Sequence, residues 1–257
     1  MNANKKQVHK ALKSAAFFAA YILAFALVWV IAYSAVQNEY VFPSLWQVLK
    51  ETGALFTQSF FYRSFLQSLL RVALAFSVSF ICAAACAVLT KILPLFGRIL
   101  APVVSALRSL PTMAIMLILL IWTTPKSAPV IVAFLALFPM LYTGIFNALL
   151  AVDSDLEEMC RVYRVPVKKR VFAMYLPISA PYILREAASG AAFALKLVVS
   201  AEVLASTYTS LGGMMQLSKI YMQTAQTFAL AIVVIVVGLI VEGGGVLLAR
   251  LVERRVK

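Results

Sequence analysis

The chain has 257 residues, 63% of them hydrophobic and only 13% charged, with 23 Lys and Arg against 10 Asp and Glu. A soluble domain carries about a quarter charged residues and roughly half apolar ones, so this composition excludes an ordinary water-soluble fold. The basic residues sit at the ends of apolar runs, not in a patch with interleaved aromatics, which points to membrane topology and away from nucleic-acid binding.

Six apolar stretches reach the roughly 20 residues that a spanning helix needs. The first covers about 12–34, behind the basic tail of Lys5, Lys6, Lys10 and Lys13. It is longer than the core of a signal peptide, so a retained helix is expected. Residues 42–59 follow, where Pro43-Ser44 precedes Gln47. That spacing suits a capping box opening a short amphipathic helix that presents Leu45, Trp46 and Leu49 to the membrane interface.

The remaining spans cover about 65–89, 99–122 with an interruption at Pro111, 129–150, 178–205 and 228–248. The expected fold is all-α: a polytopic membrane helical bundle of about six transmembrane helices. It forms a single transmembrane domain over 1–257. Residues 1–60 hold the first helix and the outer amphipathic segment, and 61–257 form a core with a loop at 153–177.

Charge sets the expected orientation. Alternate loops hold Lys5 to Lys13, Lys91 with Arg98, the cluster from Arg161 to Arg170, and Arg250, Arg254, Arg255 and Lys257. The opposite loops hold Arg63, Lys126 and Lys219. Both termini are therefore expected in the cytoplasm. Cys82 and Cys86 share one helical face but suit a disulfide poorly. The single histidine, His9, lies in the tail, so no metal site is expected.

Loop residues 153–166 carry a dense local signal. Ser154 with Glu157 reads as a capping box. Asp155 and Glu157 crowd the first turn and Arg161 and Arg164 the last, both complementing the helix dipole. Leu156, Met159, Cys160 and Tyr163 repeat at helical spacing as one apolar face, and Pro166 is expected to end the helix. Such a stripe suits a protein groove or lipid headgroups equally.

Ionisable residues inside spans need a reason, because each costs roughly 2.5–3.5 kcal/mol to insert. Lys196 either lines a solute path or pairs with a neighbouring helix. Glu202 either sits at an outer mouth or caps a bend before Ser206-Thr207. Arg108 either neutralises a solute's charge or holds carbonyls freed by Pro111. Arg185 and Glu186 read as a pair anchoring the loop.

From Glu158 the chain runs E-M-C-x3-R-x9-M-x-L-P, closing at Leu176-Pro177. This resembles the EAA loop of ATP-binding-cassette (ABC) importer permeases, E-A-A-x3-G-x9-I-x-L-P. Met159 and Cys160 stand where that pattern has alanines, and Arg164 stands where it has glycine. Gly permits a left-handed backbone that Arg adopts at a cost, so the turn here is expected to differ from the family's. Ser68 to Arg71, Leu107 to Thr112, Phe138-Pro139, Ala201-Glu202 and Leu211-Gly212-Gly213 resemble further family segments. They are closest to the branch importing sulfonates, taurine, nitrate and thiamine-precursor pyrimidines.

The resemblance implies a non-catalytic permease subunit in a prokaryotic plasma membrane. It implies cytoplasmic ATPase subunits, a second permease copy or related chain, and an extracytoplasmic substrate-binding protein as partners. It places Glu157, Glu158, Met159, Cys160, Tyr163, Arg164, Leu176 and Pro177 at the ATPase-coupling interface, with Lys196, Glu202 and Arg108 as candidates for the translocation path. ATP and Mg would be bound by the partner ATPase and no cofactor by this chain, whose sequence has no G-x-x-x-x-G-K-[ST] loop. A secondary transporter or channel is the alternative; it would better suit inverted repeats with paired broken helices. A membrane-embedded enzyme would need nucleophile–base or carboxylate clusters that the sequence lacks.

Overall fold

A computed structural model describes residues 20 and 23–256, with side chains to residue 254. The basic tail, His9 and residues 12–19, 21 and 22 of the expected first span lie outside them. All regular structure among the described residues is helical. Helix α1, Leu23–Val36, ends beside a turn that holds it through its indole: Trp29 Nε1 donates to the Pro43 carbonyl at 3.1 Å. The same ring packs against Phe42 and Phe228.

The short helix α2, Leu45–Leu55, starts as its sequence indicates. Gln47 N–H donates to Ser44 Oγ at 3.3 Å and Ser44 N–H donates to Gln47 Oε1 at 3.0 Å. Both partners of the capping box are present. Val48 and Leu55 turn inward while Trp46 and Leu49 stay exposed.

Four long apolar helices build the bundle: α3 Ser59–Ile92, α6 Ala128–Leu150, α9 Leu176–Leu204 and α11 Thr224–Val256. At 1.5 Å per residue α3 is about 51 Å long. A bilayer core is about 30 Å thick, so α3 extends well past it. Between Phe61 and Thr90 its buried line is regular and mostly small: Ser64, Ser68, Val72, Ala75, Ser79, Ala83 and Ala87. Small residues let helix backbones approach closely where lipid offers no hydrophobic drive. Helix α9 uses the same device. Gly190 meets Leu141 of α6, and Ala188 meets Gly245 of α11, where an added methyl would collide.

The segment expected as an interrupted third span is two helices, α4 Pro94–Ser109 and α5 Thr112–Trp122, bent by 94°. Leu110 and Pro111 are extended. Proline drives its preceding residue out of helical geometry and lacks an N–H of its own. Beyond the break α5 packs Met116 against Ala128 and Val132 of α6 and Ala201 and Ala205 at the end of α9. The sequence located the break; contacts with α6 and α9 fix where α5 goes.

Helix α7, Ser154–Val162, follows α6, and the one-turn helix α8, Val167–Arg170, leads through a π-turn at Val171–Tyr175 into α9. Pro177 accounts for the π-turn, since it offers no N–H to the carbonyl four residues back. Leu176 N–H bonds instead to the Val171 carbonyl, five residues back. The end of α3, the end of α6, the start of α9 and the end of α11 all meet at the α7 side, called here the loop end.

Candidate functional site

Helix α7 begins one residue earlier than the expected capping box. Asp153 is the cap, its carboxylate accepting from Asp155 N–H at 3.0 Å. Glu157 is thereby free of the cap and reaches α3, where Lys91 Nζ lies 2.6 Å from its Oε1. Lys91 also sits 5.2 Å from the Tyr175 ring centre. Arg170 donates to the Tyr175 hydroxyl at 2.9 Å. The overhang of α3 thus holds α7 and the π-turn together.

The expected apolar face of α7 is split. Cys160 is buried, its Sγ 3.5 Å from Met174 Sδ, and Leu156 is half-buried. Met159, Val162 and Tyr163 are 50%, 72% and 75% exposed, and Glu158 is exposed beside them. The motif spacing therefore has a physical meaning. Its third position and its position at 174 meet, while its first two face outward. Leu176 is half-buried and Pro177 exposed.

The helix closes at Arg164 rather than at Pro166. Arg164 adopts φ 49°. Arg164 N–H bonds to the Arg161 carbonyl at 3.1 Å and Val165 N–H to the Cys160 carbonyl at 2.9 Å. These paired bonds form a Schellman ending, whose left-handed residue is usually Gly. The glycine-type turn is kept with an arginine in it.

Glu202 is fully buried and joins three segments. Its carboxylate accepts from Ser68 Oγ at 2.7 Å, from Arg71 at 2.8 Å and from Gly212 N–H at 3.3 Å. Ser68 Oγ in turn accepts from Leu211 N–H at 2.9 Å, and Arg71 also reaches the Thr209 carbonyl at 3.3 Å. A Cβ on Gly212 would strike Glu202 and the Val199 carbonyl, and one on Gly213 the Thr207 carbonyl. Three segments that looked separate in the sequence form one junction among α3, α9 and α10 (Leu211–Ile220). In the sequence Arg71 has no role beyond its place in the Ser68 to Arg71 segment; its spacing of three from Ser68 on a helix was the available signal for more.

Lys196 is exposed in the second half of α9. It lies on one helical line with Tyr182, Arg185, Phe193 and Ser200, all exposed. No carboxylate lies within ion-pair distance of it among the described residues. Arg185 does not pair with Glu186 as expected; it reaches Glu253 of α11 at 2.7 Å, and Glu186 lies against Gly144 of α6.

Arg108, near the end of α4, donates to Thr143 Oγ1 at 2.7 Å. Thr143 donates to the carbonyl of Pro139 at 2.9 Å. Arg108 thus links the break after α4 to the proline within α6. It borders a cavity of about 770 Å³ at the loop end, between α4, α6, the end of α3 and the α7 region. Lys196 does not border that cavity.

Residues 75–257 match the family model of the binding-protein-dependent transport system inner membrane component. A Bacillus subtilis (strain 168) protein described as an aliphatic sulfonates transport permease, SsuC, is 28% identical over 156 residues, 60% of this chain and 54% of that protein. The chain thus spans about half the length of that relative in the match. An amino acid ABC transporter crystallised with histidines shares the fold, with a TM-score of 0.61 at 16% identity over 76% of this chain and 94% of that one. An inward-facing MetNI methionine ABC transporter gives 0.59 at 16% identity over 81% and 97%.

Proposed function

The chain belongs to the family of binding-protein-dependent transport system inner membrane components, as an ABC importer permease component of the multi-pass membrane type, and from that premise we propose how it works. Helix α7 docks into a groove of a cytoplasmic ATPase subunit, which binds the ATP and Mg. The observation that carries this is the uncovered strip of Glu158, Met159, Val162 and Tyr163 on a helix whose other side is fastened by Lys91–Glu157 and Cys160–Met174. An amphipathic helix held this way is suited to lie in a partner's groove.

Orientation follows from charge. The loop end carries Lys91, Arg98, Arg161, Arg164, Lys168, Lys169, Arg170 and Arg250. The other end carries Lys50, Arg63, Lys126 and Lys219. Excess basic charge marks the cytoplasmic side of a plasma membrane, so the loop end and the C-terminus are cytoplasmic. The basic run of Lys5, Lys6, Lys10 and Lys13 supports the same side for the N-terminus.

A second permease copy or a related chain completes the pathway, and an extracytoplasmic binding protein delivers the solute to the far side. Lys196 supports a path along the α9 line, since an unpaired cation at membrane depth needs water, a partner chain or an anion beside it. The solute class is anionic, sulfonate-, taurine- or nitrate-like, or a thiamine-precursor pyrimidine. The chain itself catalyses nothing and holds no cofactor. Glu202 acts through the α3–α9–α10 junction.

The test is Glu158→Lys in the assembled transporter. The expected result is a protein that remains in the membrane and loses solute-stimulated ATP hydrolysis. Unchanged stimulation contradicts the docking of α7.

A further inference from the structure

The cavity at the loop end has an unusual charge balance. Lys91, Arg98, Arg108, Arg161 and Arg170 border it with a single carboxylate, Glu157, which is already paired with Lys91. The four arginines have no carboxylate within ion-pair distance among the described residues. Arg170 Nε is also buried with no hydrogen-bond partner. A guanidinium donor left unmatched is costly, and Arg170 borders the cavity together with the other three arginines. Guanidinium forks match the oxygens of phosphate, sulfonate and carboxylate groups. Phe146, Leu150 and Val104 supply an apolar wall.

We propose that this cavity binds an amphiphilic oxyanion, its acid group among the arginines and its short apolar part against Phe146 and Leu150. Arg98 and Arg108 belong to α4, whereas Arg161 lies on α7 and Arg170 precedes the π-turn. A bound anion therefore bridges α4 to the α7 loop and stiffens α7 from the inner side. By linkage, whatever moves α7 changes the anion's affinity, and the anion resists that movement in equal measure. This regulatory consequence rests on α7 being the ATPase contact; the binding site itself does not. Two sources offer the required chemistry: an anionic lipid headgroup entering past the exposed Leu95 and Ile99 of α4, and a soluble organic acid.

The test uses the full chain in lipid nanodiscs. One arm titrates butyl phosphate into discs of phosphatidylcholine alone. The other compares those discs with discs containing phosphatidylglycerol. Readouts are calorimetric binding, retained lipid by mass spectrometry, and amide exchange over residues 154–164. Saturable butyl phosphate binding, weakened at least about tenfold by Arg98→Gln or Arg161→Gln, supports a soluble occupant. Retained phosphatidylglycerol, lost in the same variants, supports a lipid. Either occupant is expected to slow exchange in α7. Arg254→Gln, at the same end but outside the cavity, controls for net charge and is expected to bind as the parent does. Absence of both occupants, or equal binding in the Arg98 and Arg161 variants, overturns the site; binding without slowed exchange overturns the bridge. ATPase copurification is scored separately, so failure of the docking reading leaves these binding results standing on their own.

Discussion

Arg71 of α3 and Glu202 of α9 meet at 2.8 Å with the carboxylate fully buried, which ties the first long helix to the third at the end opposite α7. Removing one partner of a buried pair leaves the other charged and unmatched, at a cost of about 3–5 kcal/mol. Glu202→Gln or Arg71→Ala is therefore expected to lower the thermal unfolding midpoint of the purified protein sharply. Replacing both by apolar residues of similar size is expected to cost less than the worse single change. Equal unfolding of Glu202→Gln and the parent contradicts the junction.

The same junction requires glycine on its third side. Gly213→Ala puts a methyl against the Thr207 carbonyl, which is backbone and cannot swing away. Gly243→Ala meets open space. The first variant is expected to lose folded yield in detergent, measured by size-exclusion chromatography, and the second to keep it.

At the α7 turn the expected change is a gain. Arg164 holds φ 49°, a conformation costing an L-residue about 1–2 kcal/mol relative to glycine. Arg164→Gly is expected to slow amide exchange across residues 154–165 by a corresponding factor. Faster exchange would mean that the Arg164 side chain contributes more than its backbone strain removes.

Lys91 and Glu157 make a testable pair because both are partly buried, 12% and 27% exposed as side chains. A double-mutant cycle with Lys91→Met and Glu157→Gln, read by exchange in α7, is expected to give a coupling of about 1 kcal/mol, the upper end for such pairs. Additive effects would remove α3 as the anchor of α7.

These residues also show what the sequence could and could not disclose. The Ser44–Gln47 box was legible because both partners lie within one turn. The long helices were legible because bilayer thickness sets a minimum apolar length. The cap of α7 was misplaced by one residue, since Asp153 and Ser154 are both good caps and only the distant Lys91 decides where Glu157 points. Likewise the α7 stripe looked uniform, because helical spacing cannot say which apolar residues meet the chain's own core. Cys160 faces Met174, and Tyr163 faces away. Pro111 announced a break but not a 94° bend. The basic cavity was invisible because its arginines come from α4, α7 and α8: Arg98, Arg161 and Arg170 read as topology signals and Arg108 as a lone charge inside a span.

The most direct measurement places a single thiol on the outward strip, by Tyr163→Cys in a chain with Cys82, Cys86 and Cys160 changed to Ser or Ala. Membrane-impermeant maleimide is applied to right-side-out and inverted vesicles, with and without the ATPase subunit. The expected result is labelling in inverted vesicles alone, suppressed when the ATPase is present. Labelling of right-side-out vesicles, or labelling that the ATPase leaves unchanged, contradicts the assignment of α7 as the contact with the motor.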